Sequence, residues 1–244
     1  MPYKKLRIEV RNRVGHLILD SGARFNKLSV TTIRELKRAF SQLEEDDRVG
    51  CILLSGWPGE SFAVGADIGQ MRPFTPRDAL QFAELGQSLF DQMERAAKPI
   101  IGALNGITMG GGCDLALACD IRIASDRLLI AHPGARLGII TGFCGTQKLP
   151  RLVGKNRARE IFATCDSYNA AEALQMGLVD RVVSGDRYWD EAVAVAERIA
   201  GMSPCSLGWA KRLVNMAEEA DLRNGCLAEQ GAASLCSGAV VKEG

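Results

Sequence analysis

The run from Pro99 to Asp120, PIIGALNGITMGGGCDLALACD, decides how this chain folds. Pro99–Leu104 reads as an apolar strand and Asn105-Gly106 as a turn. Gly110, Gly111 and Gly112 then open a helix of about Gly112 to Cys119, with Asp114 in its first turn. Three successive glycines leave no Cβ between the backbone and whatever lies against it. The free N–H groups and positive dipole end of the helix face the same place, which suits an oxygen carrying negative charge. A second use stays open from these residues alone: the glycines would also let a helix pack tightly on a sheet.

Upstream, Leu6–Val10 and His16–Leu19 read as strands joined at Asn12-Arg13. Ser29 is placed to cap a helix carrying Ile33, Leu36, Phe40 and Leu43. That helix is expected to stop before Glu44-Glu45-Asp46-Asp47, because acid opposes the dipole at a C-terminus. Val49–Ser55 suits a strand buried on both faces. A long helix from Pro76 to Ala96 is expected to bury Leu80, Ala83, Gln87, Phe90 and Met93. Downstream, Ile121–Ala124 and Leu128–Ala131 read as strands, and Pro133–Cys144 as a loop. Six helical runs follow: Thr146–Val153, Lys155–Thr164, Ala170–Met176, Tyr188–Ala200, Pro204–Ala217 and Asp221–Cys236. The fold class is therefore α/β, a strand-rich core at 1–190 followed by a helical region at 191–244.

The 244 residues carry 30 Lys+Arg against 29 Asp+Glu, so no basic excess points to nucleic acid. No apolar stretch reaches the length of a membrane span, and the N-terminal residues lack the apolar region of a secretory signal. Eight scattered cysteines without a C-x-x-C pair fit a reducing compartment better than a disulfide framework, and a cytoplasmic location is expected. Two histidines are too few for a His-based zinc site, and no metal is expected.

Phe62–Ile68 (FAVGADI) and Ala103–Ser125 together resemble the two signature segments of the enoyl-CoA hydratase/isomerase (crotonase) family. Gly145–Glu160, Ala170–Val183 and Ser203–Asn215 extend the resemblance over nearly the whole chain. It implies a spiral of ββα units followed by a helical trimerisation region, and a homotrimer or a hexamer built as a dimer of trimers. The implied partner is an acyl-CoA thioester, with coenzyme A arriving as part of the substrate and no separate cofactor. The family's oxyanion hole of two backbone N–H groups carries over to Ala66 and Gly111. Arg24 is implied at the CoA phosphates, with Val64, Asp67, Ile68 and Gly134 around the ligand, Asp67 as part of a loop rather than as an acid or base. Lys211 aligns with a helix that faces a neighbouring subunit in the family, and reads equally as surface charge. The resemblance carries through Cys236; a further helical segment covers the acyl-CoA in the family, so the expectation is either a more open pocket here or a sequence truncated at its C-terminus.

Hydratases of this family use two glutamates. The first falls at Asp114, shortened by one methylene, and the second at Gly134, where no carboxylate remains. Shortening retracts the group by roughly 1.5 Å, and losing an acid–base partner costs about 100- to 10,000-fold. Three readings follow: a hydratase or isomerase of altered specificity in which Asp114 works with a partner from elsewhere; a decarboxylase of malonyl-type thioesters, which needs the oxyanion hole but no proton abstraction; or an acyl-CoA-binding or assembly protein. His132 is a candidate replacement group, or simply a polar residue at a strand end. Cys144 reads as an inert thiol and Phe143 as a residue that reshapes the acyl pocket.

Overall fold

The computed structural model describes residues 2–56, 58–185 and 187–237. A hairpin, β1 (Leu6–Arg11) and β2 (Val14–Leu19), turns at Asn12-Arg13, and α1 (Val30–Glu45), β3 (Cys51–Ser55) and β4 (Ser61–Ala63) follow. Next come α2 (Ile68–Met71), α3 (Pro76–Arg95), β5 (Ile100–Leu104), β6 (Ile107–Met109), α4 (Gly111–Leu117), β7 (Ile121–Ser125) and β8 (Leu129–Ala131). A 3₁₀ turn (Pro133–Leu137) leads to α5 (Gly145–Val153), α6 (Lys155–Thr164), β9 (Ser167–Asn169), α7 (Ala170–Met176) and β10 (Arg181–Val183). The last helices are α8 (Tyr188–Ala200), α9 (Pro204–Met216) and α10 (Leu222–Ser237).

Successive strand pairs divide between two sheets. The larger runs β1-β2-β3-β5-β7-β10 and the smaller β4-β6-β8-β9. From β2 through β10 the larger sheet is parallel, as are β4, β6 and β8. After the β1–β2 hairpin, which stays in the larger sheet, the pairs β3/β4, β5/β6, β7/β8 and β9/β10 each divide between the two sheets, the spiral that the resemblance implied. Strands β3 and β5 are wholly buried because both faces are covered. One face sends Ile52, Leu54, Ile100 and Leu104 into the main core. The other packs Cys51, Leu53, Ile101 and Ala103 on Tyr188, Ala192, Val195, Ala196 and Ala200 of α8. The boundary drawn at 190/191 thus falls inside a helix that packs on the sheet, and residues 238–244 of the helical region lie outside the described residues.

Two expectations change, and three short strands are added. Helix α1 runs on through Glu44 and Glu45, because a cation from elsewhere offsets its dipole. Lys98 Nζ donates to the carbonyls of Leu43 and Asp46, each at 2.7 Å, and Glu44 Oε1 accepts from Ala97 N. In α3 the buried face is Phe82, Gly86, Leu89, Phe90 and Met93, while Leu80 is 59% exposed. Gly86 sets that rotation, since a Cβ there would sit 2.2 Å from the Phe143 ring. Finally, the three-residue strands β6, β9 and β10 are too short to show a period in sequence.

Among the described residues no helix is long and apolar enough to cross a membrane. Lys211, which sequence left open as surface charge, has a side chain only 6% exposed and reaches Asp120 Oδ2 at 2.8 Å. Its ammonium also donates to the carbonyls of Met93 and Lys98, fixing α9 to the end of α3. Burial pushes the Asp120 carboxyl up, and Lys211 pulls it back. Replacing Lys211 with Met leaves that carboxylate without its cation and is expected to lower unfolding free energy by about 3 kcal/mol. A urea titration reads this directly; a loss below about 1 kcal/mol would show that water replaces the lysine.

Candidate active site

The two signature segments meet backbone to backbone. After β4, Val64 N donates to Asn26 O, Leu28 N to Gly65 O at 2.8 Å, and Asp67 N to Leu28 O at 3.3 Å. Those bonds turn the Gly65 carbonyl and the Asp67 N–H toward Leu28, so the alternation of extended backbone sends the Ala66 N–H the other way. Opposite it, Gly110 takes φ +54° with its N–H on Ala131 O, and the chain enters α4 with Gly111 as first residue. The Gly111 N–H consequently has no intrahelical acceptor. A Cβ on Gly65 would lie 3.2 Å from Gly111 N, and one on Gly112 only 2.0 Å from Ala63 O. The glycine run therefore does both things its sequence allowed: Gly112 lets the helix pack on the strand, and Gly111 presents a free donor beside Ala66.

Both residues line a cavity of about 270 Å³. Val64, Ile68, Met71, Phe82, Phe143, His132, Gly134 and the 139–142 segment complete its wall. The lining is mainly apolar, with His132 its one ionisable side chain, so a group held there meets few competing dipoles. Phe143 sits within an aromatic cluster, edge-on to Phe82 and Phe90 with centroids 5.1 and 6.0 Å away.

Asp114 is wholly buried, one turn into α4. Its Oδ1 is 3.0 Å from His132 Nε2, and its Oδ2 accepts a short hydrogen bond from Thr141 Oγ1. Thr141 Oγ1 in turn accepts from Phe143 N at 3.2 Å, so its single proton is directed at the carboxylate. Burial pushes the Asp114 carboxyl up, against the opposing pull of His132 and Thr141. The His132 ring packs edge-on to Phe162, 4.7 Å between centroids. The order is wall, then depth: His132 faces the cavity, and Asp114 stands behind it as orienting partner.

Of the residues singled out from sequence, Val64, Ala66, Ile68, Gly111 and Gly134 come together at this cavity, and Asp114 adjoins it through His132. Asp67 does not line it. Asp67 caps α2 through Gly69 N and ion-pairs with Lys27 at 3.5 Å. Arg24 also stays outside, paired with Glu60 at 3.0 Å on an exposed surface. Gly134 is shut in from behind, since a Cβ there would press on the Ile139 carbonyl at 2.8 Å. Sequence reasoning missed Thr141 and Gly145. A Cβ on Gly145 would lie 2.0 Å from Asp114 Oδ1, so this glycine makes the room in which the carboxylate sits. Its place in the quoted Gly145–Glu160 segment was the available signal.

Residues 9–243 match the family described as enoyl-CoA hydratase/isomerase. The crotonyl-CoA hydratase of Syntrophomonas wolfei is 35% identical over 97% of this chain and 91% of that protein. The short-chain-enoyl-CoA hydratase of Clostridium acetobutylicum is 33% identical over 94% and 88%. In structure, the enoyl-CoA hydratase of Bacillus anthracis superposes with a TM-score of 0.90 at 31% identity, over 94% of this chain and 90% of that one.

A buried acid whose pKa is raised from 3.8 is favoured in its protonated form by folding. Ionised Asp114 thus lowers stability progressively as pH rises from that unfolded value through the elevated folded one. Asp114→Asn removes this penalty. At pH 8 its melting temperature is expected to equal or exceed that of the parent by a few degrees, at about 2–4 °C per kcal/mol, with the difference shrinking toward pH 4. A thermal melt series checks this; a variant several degrees less stable at pH 8 would show that the His132 and Thr141 bonds outweigh burial.

Proposed function

The chain belongs to the enoyl-CoA hydratase/isomerase family, and we propose that within it this enzyme shifts the double bond of an enoyl-CoA thioester, with His132 moving the proton. One observation carries the reading: His132 Nε2 lies 3.0 Å from the buried Asp114, on the wall of the cavity that holds the Ala66 and Gly111 amides. A double-bond shift needs a base to take a proton from the carbon next to the thioester carbonyl and return it two carbons along. The dienolate formed between those steps carries its charge on the thioester oxygen. Two convergent N–H donors stabilise that charge where it develops, and one such donor is typically worth about 100- to 1000-fold. A single acid–base group completes the cycle. Asp114 orients the imidazole and stabilises it when protonated, the role a buried carboxylate plays behind histidine elsewhere.

Hydration asks for more. Water must be held and deprotonated while another group handles the substrate proton, and position 134 supplies no side chain. The proposal is therefore of altered specificity, with the usual glutamates replaced at Asp114 and Gly134. The hydratase names of the relatives at 33–35% identity favour hydration as the second reading. Coenzyme A enters as part of the substrate, with Arg24 at its phosphates if it leaves Glu60. Self-association as a trimer-based oligomer belongs to the same proposal. It is supported by the exposed apolar side chains of Val214, Leu222, Leu227 and Leu235 on α9 and α10.

Presented with 3-enoyl-CoA, 2-enoyl-CoA and malonyl-type CoA esters, the enzyme is expected to convert the first to its conjugated isomer, seen in ultraviolet absorbance. His132→Gln should lower that rate by about 100- to 10,000-fold while binding of the ester persists. Water addition to the 2-enoyl ester without isomerisation would favour the hydratase. Carbon dioxide from the malonyl ester, undiminished in His132→Gln, would instead assign the decarboxylase.

A further inference from the structure

We propose that Cys205 and Cys236 form an oxidisable dithiol, a modification site at which a small-molecule disulfide such as glutathione disulfide ties α10 covalently to α9. Cys205 is the second residue of α9, and Cys236 lies in the last turn of α10. Their sulfurs are 2.9 Å apart, across 31 positions of sequence. Unbonded carbon atoms already rest about 3.5–4.0 Å apart, and sulfur is larger, so the two side chains are held nearly at bonding approach. Neither residue is enclosed: both are partly exposed, which gives an oxidant access.

The remaining cysteines do not share this arrangement. Cys51, Cys113, Cys119 and Cys165 are buried, and burial pushes the Cys51 and Cys119 thiols up to about 12. Such thiols scarcely ionise at neutral pH, and the thiolate is the reacting species. Contact with Cys236 also pushes the Cys205 thiol up, so what sets this pair apart is the short approach of its sulfurs and its exposure. Cys144 is half-buried just before α5, and Cys226 is exposed on α10. Helix α10 makes few buried contacts within the chain. Ala232 is its one buried residue among those described, whereas Leu222, Leu227 and Leu235 stand open. A bond between the start of α9 and the end of α10 removes the open states in which α10 leaves its neighbour.

The exchange balances without any further reagent. One protein thiolate attacks a sulfur of glutathione disulfide, breaking its S–S bond, expelling one glutathione thiolate and leaving a mixed disulfide. The second protein thiolate attacks the protein sulfur of that intermediate, forming the Cys205–Cys236 bond and expelling the other glutathione. Two electrons pass from the protein to the reagent. The two thiol protons end on the two glutathione molecules.

The test uses the full chain, reduced and then incubated with glutathione disulfide before alkylation and peptide mass mapping. A Cys205–Cys236 cross-link within one chain is expected in most molecules, with the other six cysteines alkylated. Hydrogen exchange over residues 222–237 should slow by about tenfold or more and recover with dithiothreitol. Cys205→Ser should show neither change. If that variant does not fold, the wild-type cross-link map alone decides. Recovery of Cys205 and Cys236 as alkylated thiols, as separate glutathione adducts or in cross-links between chains would overturn the proposal.

Discussion

The candidate active site rests on one close approach: the Cα of Gly112 lying against the Ala63 carbonyl, with no space for a Cβ. Because α4 starts there, the Gly111 N–H emerges beside the segment that turns the Ala66 N–H outward. The contact is made by backbone on both sides, so both donors are held by the sheet rather than by rotatable side chains. A site fixed in this way meets developing charge with little reorganisation. Almost any side chain at Gly112 would open it.

The same helix start carries the proton machinery inward. One turn on, Asp114 faces a pocket hollowed by the missing Cβ of Gly145 and closed by Thr141. Both carboxylate oxygens have partners, which is what allows an acid to be buried completely. Carboxylate, imidazole and threonine form one unit in which Asp114 lies behind two wall residues, His132 and Thr141.

Much of this was legible in sequence. The glycine run, the doubly buried strands and the paired signature segments are local patterns whose physical causes act within a few residues, and they located Ala66, Gly111 and the β3–β5 core. What escaped was non-local. Lys98 holding α1 together, Lys211 reaching Asp120 and Thr141 meeting Asp114 are contacts across 27 to 91 positions, made by residues that read locally as loop or surface. His132 stood between. Its residue type suggested chemistry, but its contact with the buried Asp114 is a distance no local pattern carries.

Gly134 constrains how this protein can change. Its Cα faces the Ile139 carbonyl so closely that even a methyl group displaces the loop, and that loop carries Thr141 to Asp114. An acidic residue at 134 is therefore more than a change of one side chain. The loop would have to be rerouted first, and rerouting it loosens Asp114 before any new carboxylate can help. Position 134 is thus epistatic to the loop that follows it: a side chain there is tolerated only together with a compensating change between 139 and 141.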